Sequence, residues 1–307
     1  MTAAQVMTTL KPALPPPPDV VPGWTLARVS GFAFLGFWLA GGIGLVLMLY
    51  NGFDPEFYVR YGPKFLNGLI VTLEIVFLSL IIGSVLSLPA AAGRMSENPL
   101  DAVPAFAFVY FFRGTPLIAQ TFLVYYGAGS FREPLDAVGL WWFFRDPFYC
   151  VIFTFSLNTA AYQAEILRGA IQNVGKGQWE AGRSMGLSKF AIYRNIVLPQ
   201  AMIVALRPYG NEIVLMIKGS AIASIVTVFD LMGETRRAFS RTFDFETYIW
   251  AAIFYLILVE LLRRLWARLE IRLTRHLVRA TASTAKDGPA DEAEVTAVED
   301  PVVTARI

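Results

Sequence analysis

The chain has 307 residues, of which 55% are hydrophobic and 16% charged, with a formal net charge of +2 and a mean hydropathy of +0.51. Soluble domains carry about 25% charged residues, so this chain holds more apolar surface than one soluble core hides and reads as a membrane protein. The small net charge argues against nucleic acid as a partner. A single cysteine, Cys150, and a single histidine, His276, leave no internal disulfide, no Cys- or His-based metal site and no Ser-His-Asp triad inside a membrane.

Residues 1–28 are polar and proline-rich, with Pro15 to Pro18 in a row, and read as a disordered cytoplasmic tail. Residues 29–50 are apolar for the roughly 20 residues that cross a bilayer and lack a small-residue cleavage site, which predicts an uncleaved extra N-terminal span. Five further apolar stretches follow at 66–92, 103–126, 148–167, 201–232 and 248–265, so the expected fold is all-α, a polytopic bundle of six transmembrane helices. Gly114 and Pro116 can break the third span. The fifth is long, polar and interrupted by Pro208, Gly210 and Gly219, and predicts a kinked or broken helix. The loops at 53–65 and 139–149 are aromatic, as befits headgroup level. Residues 263–280 form a basic amphipathic pattern with Leu265, Leu269, Leu273 and Leu277 every four residues. That pattern predicts a helix on the inner leaflet, followed by a disordered tail. One side of this topology holds Lys11, Arg28, Arg94, Arg168, Lys176, Arg183, Lys189, Arg194 and the tail arginines, the other Arg60, Lys64, Arg132, Arg145, Arg236, Arg237 and Arg241, and the bias predicts both termini in the cytoplasm.

The polar interruption "GKGQWEAGRSMGLSKFAIYRNIVLPQA" (175–201) then lies in the cytoplasm. Good helix formers run from Gln178 to Met185, Gly186 suits a left-handed C′ position, and Ser188 can cap a second helix. Pro199 is expected to end that second helix before the fifth span. Glu180-Ala181-Gly182 is followed by three residues and Gly186, then by nine residues and Ile196-Val197-Leu198-Pro199.

This spacing resembles the EAA motif of binding-protein-dependent ABC importer permeases, with Gly182 standing in place of the second alanine. "NGLIVTLEIVFLSLIIGSVLSLPAAAGR", "FFRGTPLIAQTFLVYYG" and "SLNTAAYQAEILRGAIQNVGKGQWEAGRSMGLS" resemble segments of the polar amino acid subfamily (histidine, glutamine, arginine and octopine permeases). The resemblance implies a type I permease domain over 66–265 in a bacterial inner membrane. It implies ATPase coupling through Glu180, Ala181, Gly182, Gly186, Ile196, Leu198 and Pro199. The implied partners are two ABC ATPase subunits, a second permease subunit and a periplasmic amino-acid-binding protein. No Gly-x-x-x-x-Gly-Lys-Ser/Thr loop is present, so ATP is expected on the partner chain, with no cofactor and no enzymatic activity on this one.

Ionisable or amide groups fall within the spans at Glu74, Arg113, Asn158, Glu165, Asn211, Glu212 and Lys218, each ionised one costing about 2.5–3.5 kcal/mol at a helix centre. Two readings stand open: structural pairing, for instance of Arg113 with Glu212 or Glu74, or a polar substrate pathway through Arg113, Asn158, Asn211, Glu212 and Lys218. Glu165 and Arg168, three apart, are expected to pair. The subfamily's Lys-x-Thr/Ser-Ser-Leu pattern reads here Lys218-Gly219-Ser220-Ala221-Ile222, and the "GETRRAFSRTFDF" loop leans toward permeases for basic amino acids and opines. An ion-coupled secondary transporter and a non-transporting scaffold are the rival readings.

Overall fold

The computed structural model describes residues 24–52 and 54–287, with side chains through residue 274. Residues 1–23 of the predicted tail at 1–28, and residues from 288 onward, lie outside the described residues; α1 begins at Leu26, inside that predicted tail. The chain divides into two units at Asp54. The first holds α1 (Leu26–Asn51), capped where Thr25 accepts from the Arg28 amide, with no buried residue.

The second unit is entirely helical among the described residues. It comprises α2 (Pro55–Arg94), α3 (Pro99–Gly114), α4 (Leu117–Ser130), the short α5 (Arg132–Ala137) and α6 (Trp141–Phe144), and α7 (Pro147–Gln172). Then come α8 (Lys176–Ser184), α9 (Lys189–Ile192), a π turn (Tyr193–Val197), α10 (Leu198–Gly219), a 3-10 segment (Ser220–Val226), α11 (Leu231–Thr242) and α12 (Glu246–Asp287). Local chemistry sets several starts. Asn98, Asp146 and Asp230 each accept from a first-turn amide of α3, α7 and α11, and proline occupies the first turn of α3 and α7.

Helices α2 and α7 form the central pair. Gly83 of α2 lies so close to the Thr159 methyl and the Ser156 carbonyl of α7 that a side chain would collide. Around this pair one apolar cluster joins Ala91, Ala164, Leu167, Ile171, Ile192, Val197 and Ala201, and a second joins Ile75, Val151, Phe155, Ile217 and Val226. Five polar residues of α7, Thr154, Ser156, Asn158, Thr159 and Gln163, are buried in the bundle. That is why this helix is less apolar than its position suggests.

Two predicted breaks are present, and one predicted element differs. The third apolar stretch is two helices, α3 and α4, meeting at 105° across Thr115 and Pro116. The fifth is broken as predicted, but later than the glycines and proline: the helical run continues through the 3-10 segment to Val226, and it meets α11 at 48° across residues 227–230. The last apolar stretch and the amphipathic segment are one 42-residue helix, α12, about 63 Å long at about 1.5 Å per residue. The amphipathic pattern is therefore a continuation, with no break to turn it into a separate surface helix. Among the described residues, α1 and α2 are each long and apolar enough to cross a membrane, and the number rises to four when each bent pair is one span.

Candidate functional site

The α8–α9 hairpin is built by backbone devices. Gly186 sits at φ +72°, the Leu187 amide donates to the Gly182 carbonyl at 3.2 Å and the Gly186 amide to the Arg183 carbonyl at 2.9 Å. This is the full double-bonded glycine C-cap, and a Cβ at position 186 would be in the left-handed region. Ser188 Oγ accepts from the Ala191 amide at 3.2 Å and starts the second helix.

Gly182 is the buried residue of α8. A Cβ there would lie 2.8 Å from Ile192 Cγ1 and 3.1 Å from Cδ1, so the absence of the usual alanine lets Ile192 press against the α8 backbone. Trp179 packs on the same inner cluster. Glu180 and Ala181 point outward and are exposed. Met185, Leu187 and Phe190 of the same hairpin are also exposed, Phe190 to 71%. The motif spacing does not mark these three; large apolar residues in an otherwise polar loop were the available signal.

Pro199 does not end the second helix. The chain stays helical from Lys189 through the π turn into α10, where Pro199 occupies the first turn. Proline leaves one carbonyl of the preceding turn without its amide partner. In the wider turn just before it, the Leu198 amide reaches back five residues to the Tyr193 carbonyl, and Gln200 Nε2 donates to the Ile196 carbonyl at 2.9 Å. Ile196 and Leu198 are half-buried on this continuous rod and Pro199 is exposed.

Above the hairpin, Glu165 is an ionic hub. Arg94 Nε lies 2.9 Å from Oε1, Arg168 Nη2 2.7 Å from Oε2, and Arg113 Nη1 3.8 Å from Oε2. Arg113 pairs here, not with Glu212 or Glu74, and its guanidinium also stands 5.2 Å over the Tyr162 ring. It lies between a cavity of about 310 Å³ on the α2–α3 side and one of about 460 Å³ bounded by α7 and α10. The predicted Glu165–Arg168 pair is present.

Asn158 is buried, its Nδ2 donating to the Phe112 carbonyl at 2.9 Å and to Gln120 Oε1 at 3.0 Å. Gln120 Nε2 in turn donates to the carbonyls of Phe112 and Thr115. The backbone groups freed at the α3–α4 break are thus capped by side chains. Glu212 is buried on α10, with Oε1 accepting from Thr159 Oγ1 at 2.8 Å. Arg113, Asn158 and Glu212 therefore gather around the 158–165 segment of α7. Asn211 and Lys218 are exposed and do not join them; Asn211 lines a crevice of about 290 Å³ between α10 and α12.

Residues 83–275 match the family described as the binding-protein-dependent transport system inner membrane component. The nopaline transport system permease protein of Agrobacterium fabrum (strain C58) is 41% identical over 233 residues, covering 76% of this chain and 97% of the relative. The histidine/lysine/arginine/ornithine transport system permease protein of Escherichia coli (strain K12) is 39% identical over 212 residues, covering 69% of this chain and 89% of the relative. Among solved structures, an amino acid ABC transporter crystallised with histidines matches at a TM-score of 0.63 and 33% identity, over 72% of this chain and 99% of that one. With the family match running from the last part of α2 through α7, the α8–α9 hairpin and α10, this chain belongs to the binding-protein-dependent inner membrane components, the permease subunits of ABC importers.

Proposed function

We propose that this permease translocates a cationic amino acid or an opine. The substrate is handed over by a periplasmic binding protein and driven by two ATPase subunits on the cytoplasmic side, with a second permease subunit completing the pathway. The observation that carries the reading is the α8–α9 hairpin. It is fixed to the core by Trp179 and by Ile192 against Gly182, yet its outer face of Glu180, Ala181, Met185, Leu187 and Phe190 stays uncovered. An ion-coupled carrier has no use for such a surface.

The family membership supports a topology of six crossings with both termini in the cytoplasm, the bent α3–α4 pair counting as one. ATP binds the partner subunits and the permease itself is no enzyme. Arg113 is the pathway residue we favour for receiving a substrate carboxylate. It is half-exposed between two cavities and bound at only 3.8 Å to Glu165. The names of the nopaline and histidine/lysine/arginine/ornithine relatives support a substrate that joins a carboxylate to a cationic side chain.

The test is reconstitution in liposomes with candidate ATPases. ATP hydrolysis should rise when a binding protein loaded with arginine or nopaline is added. Uptake driven by a proton or sodium gradient without ATPase would overturn the proposal.

A further inference from the structure

The arginine-rich continuation of the last helix takes no part in the coupling described above. About 20 residues cross the hydrocarbon, so α12, entering at Glu246, reaches the opposite headgroup zone near Leu265. From there Leu265, Leu269 and Leu273 continue the exposed apolar face of the span beyond Leu261. Beside that face run Arg264, Arg268 and Arg272, also exposed and also four apart.

This part of α12 is held against α10. Trp266 Nε1 donates to the Leu206 carbonyl at 2.8 Å, the indole occupies the space a side chain at Gly210 would need, and Arg207 pairs with Glu270 at 2.5 Å. Between the two helices lies the crevice of about 290 Å³, into which Arg207, Asn211, Arg263, Trp266 and Glu270 all face. Two guanidiniums against one carboxylate leave it net positive. Arg263 and Arg264 share Glu260, at 2.9 and 2.6 Å, which fixes where they stand on the helix.

We propose that the α10–α12 crevice and the neighbouring arginine stripe bind the headgroup of an anionic phospholipid of the inner leaflet. The phosphate would be received by Arg207 and Arg263 and the acyl chains would lie along the leucine face. Basic pockets between transmembrane helices on the cytoplasmic side are suited to such headgroups, and guanidinium matches phosphate geometry. A protein partner is less well matched, because the apolar stripe is continuous with the membrane-facing surface of the same helix and the arginines stand at headgroup depth. The site touches α10 one helical stretch above the hairpin, so an occupied site would stiffen the element that carries the coupling motion. The inference rests on the proposed orientation, with the hairpin in the cytoplasm.

The full chain, exchanged into mixed micelles with equal dioleoyl phosphatidylglycerol and dioleoyl phosphatidylcholine, is read by native mass spectrometry for retained lipid. Phosphatidylglycerol should be retained in several-fold excess. Arg263→Gln and Arg268→Gln should each lower the preference about five-fold, equivalent to about 1 kcal/mol for an arginine near an anionic surface. Arg263→Lys and Arg268→Lys should keep most of it. Equal retention of the two lipids by the wild-type chain would overturn the proposal, as would an undiminished preference in the glutamine variants. A label on Leu269→Cys that is shielded by the ATPase and not by phosphatidylglycerol would overturn it in favour of a protein partner. Orientation is read separately from the same variant. Labelling by an impermeant maleimide from outside spheroplasts would sink the topology, whereas protection there without lipid preference sinks only the lipid site.

Discussion

Asn158 on α7 donates to the main-chain carbonyl of Phe112 on α3 at 2.9 Å, on the turn before α3 gives way to α4. A residue from one helix thereby caps the backbone that another helix loses at its break. Asn158→Leu removes that donor and leaves the Phe112 and Gln120 acceptors with fewer partners in a buried site. It should cost about 1–3 kcal/mol, visible as a lower thermal midpoint in detergent. A variant equally stable to the wild type would mean the break needs no such cap.

Gly186 is held at φ +72° by the C-cap of α8. Gly186→Ala should cost about 1–2 kcal/mol of local stability, the ordinary penalty for a Cβ in left-handed backbone. Gly186→Pro locks φ near −65° and cannot form the turn. The proline variant should insert in the membrane yet lose binding-protein-stimulated ATP hydrolysis, as should Glu180→Lys. Normal stimulation in both would remove the hairpin from the coupling role.

Gly182 and Ile192 form a fitted pair. Gly182→Ala, the residue usual in the motif, drives a Cβ into Ile192 and should weaken ATPase association. Ile192→Ala alone opens a cavity and should cost about 2–5 kcal/mol. The double variant should lose less than the sum of the two, by about 0.5–3 kcal/mol in a double-mutant cycle on thermal unfolding. Simple additivity would show that the two side chains do not compete for the same space.

Glu165 and Arg113 should separate under mutation. Glu165→Gln leaves three arginines facing one another and should lower stability well beyond Arg113→Gln. Arg113 is 42% exposed on its side chain and its 3.8 Å pair contributes under about 1 kcal/mol. Transport assays should show the reverse: Arg113→Gln raises KM several-fold for a substrate bearing a carboxylate. Unchanged transport kinetics in a stable Arg113→Gln protein would end its assignment to the pathway.

The hairpin was legible in the sequence because its determinants are local. Gly186 and Ser188 act on backbone groups within five residues, so the pattern of residue types carries the geometry. Pro199 misled for the same reason. Its missing N–H is a local fact, but the π turn through which the helix continues into α10 shows only in the backbone path. The hub at Glu165 was half legible: Arg168 is three residues away on the same helix, whereas Arg94 from α2 and Arg113 from α3 reach it only through the fold, so Arg113 pairs there and not with Glu212 or Glu74. Asn158 and Glu212 read as polar groups in need of partners, and they have them, in Phe112, Gln120 and Thr159, through contacts no spacing rule encodes.

The π turn has a mechanical consequence. Because the helix that starts at Ser188 runs without interruption to Gly219, the hairpin and Glu212 stand on a single rod, roughly 36 Å apart at about 1.5 Å per residue. A flexible joint at Pro199 would dissipate a pull from below. On the coupling role we propose for the hairpin, the continuous helix is the route from that role to the buried carboxylate of Glu212.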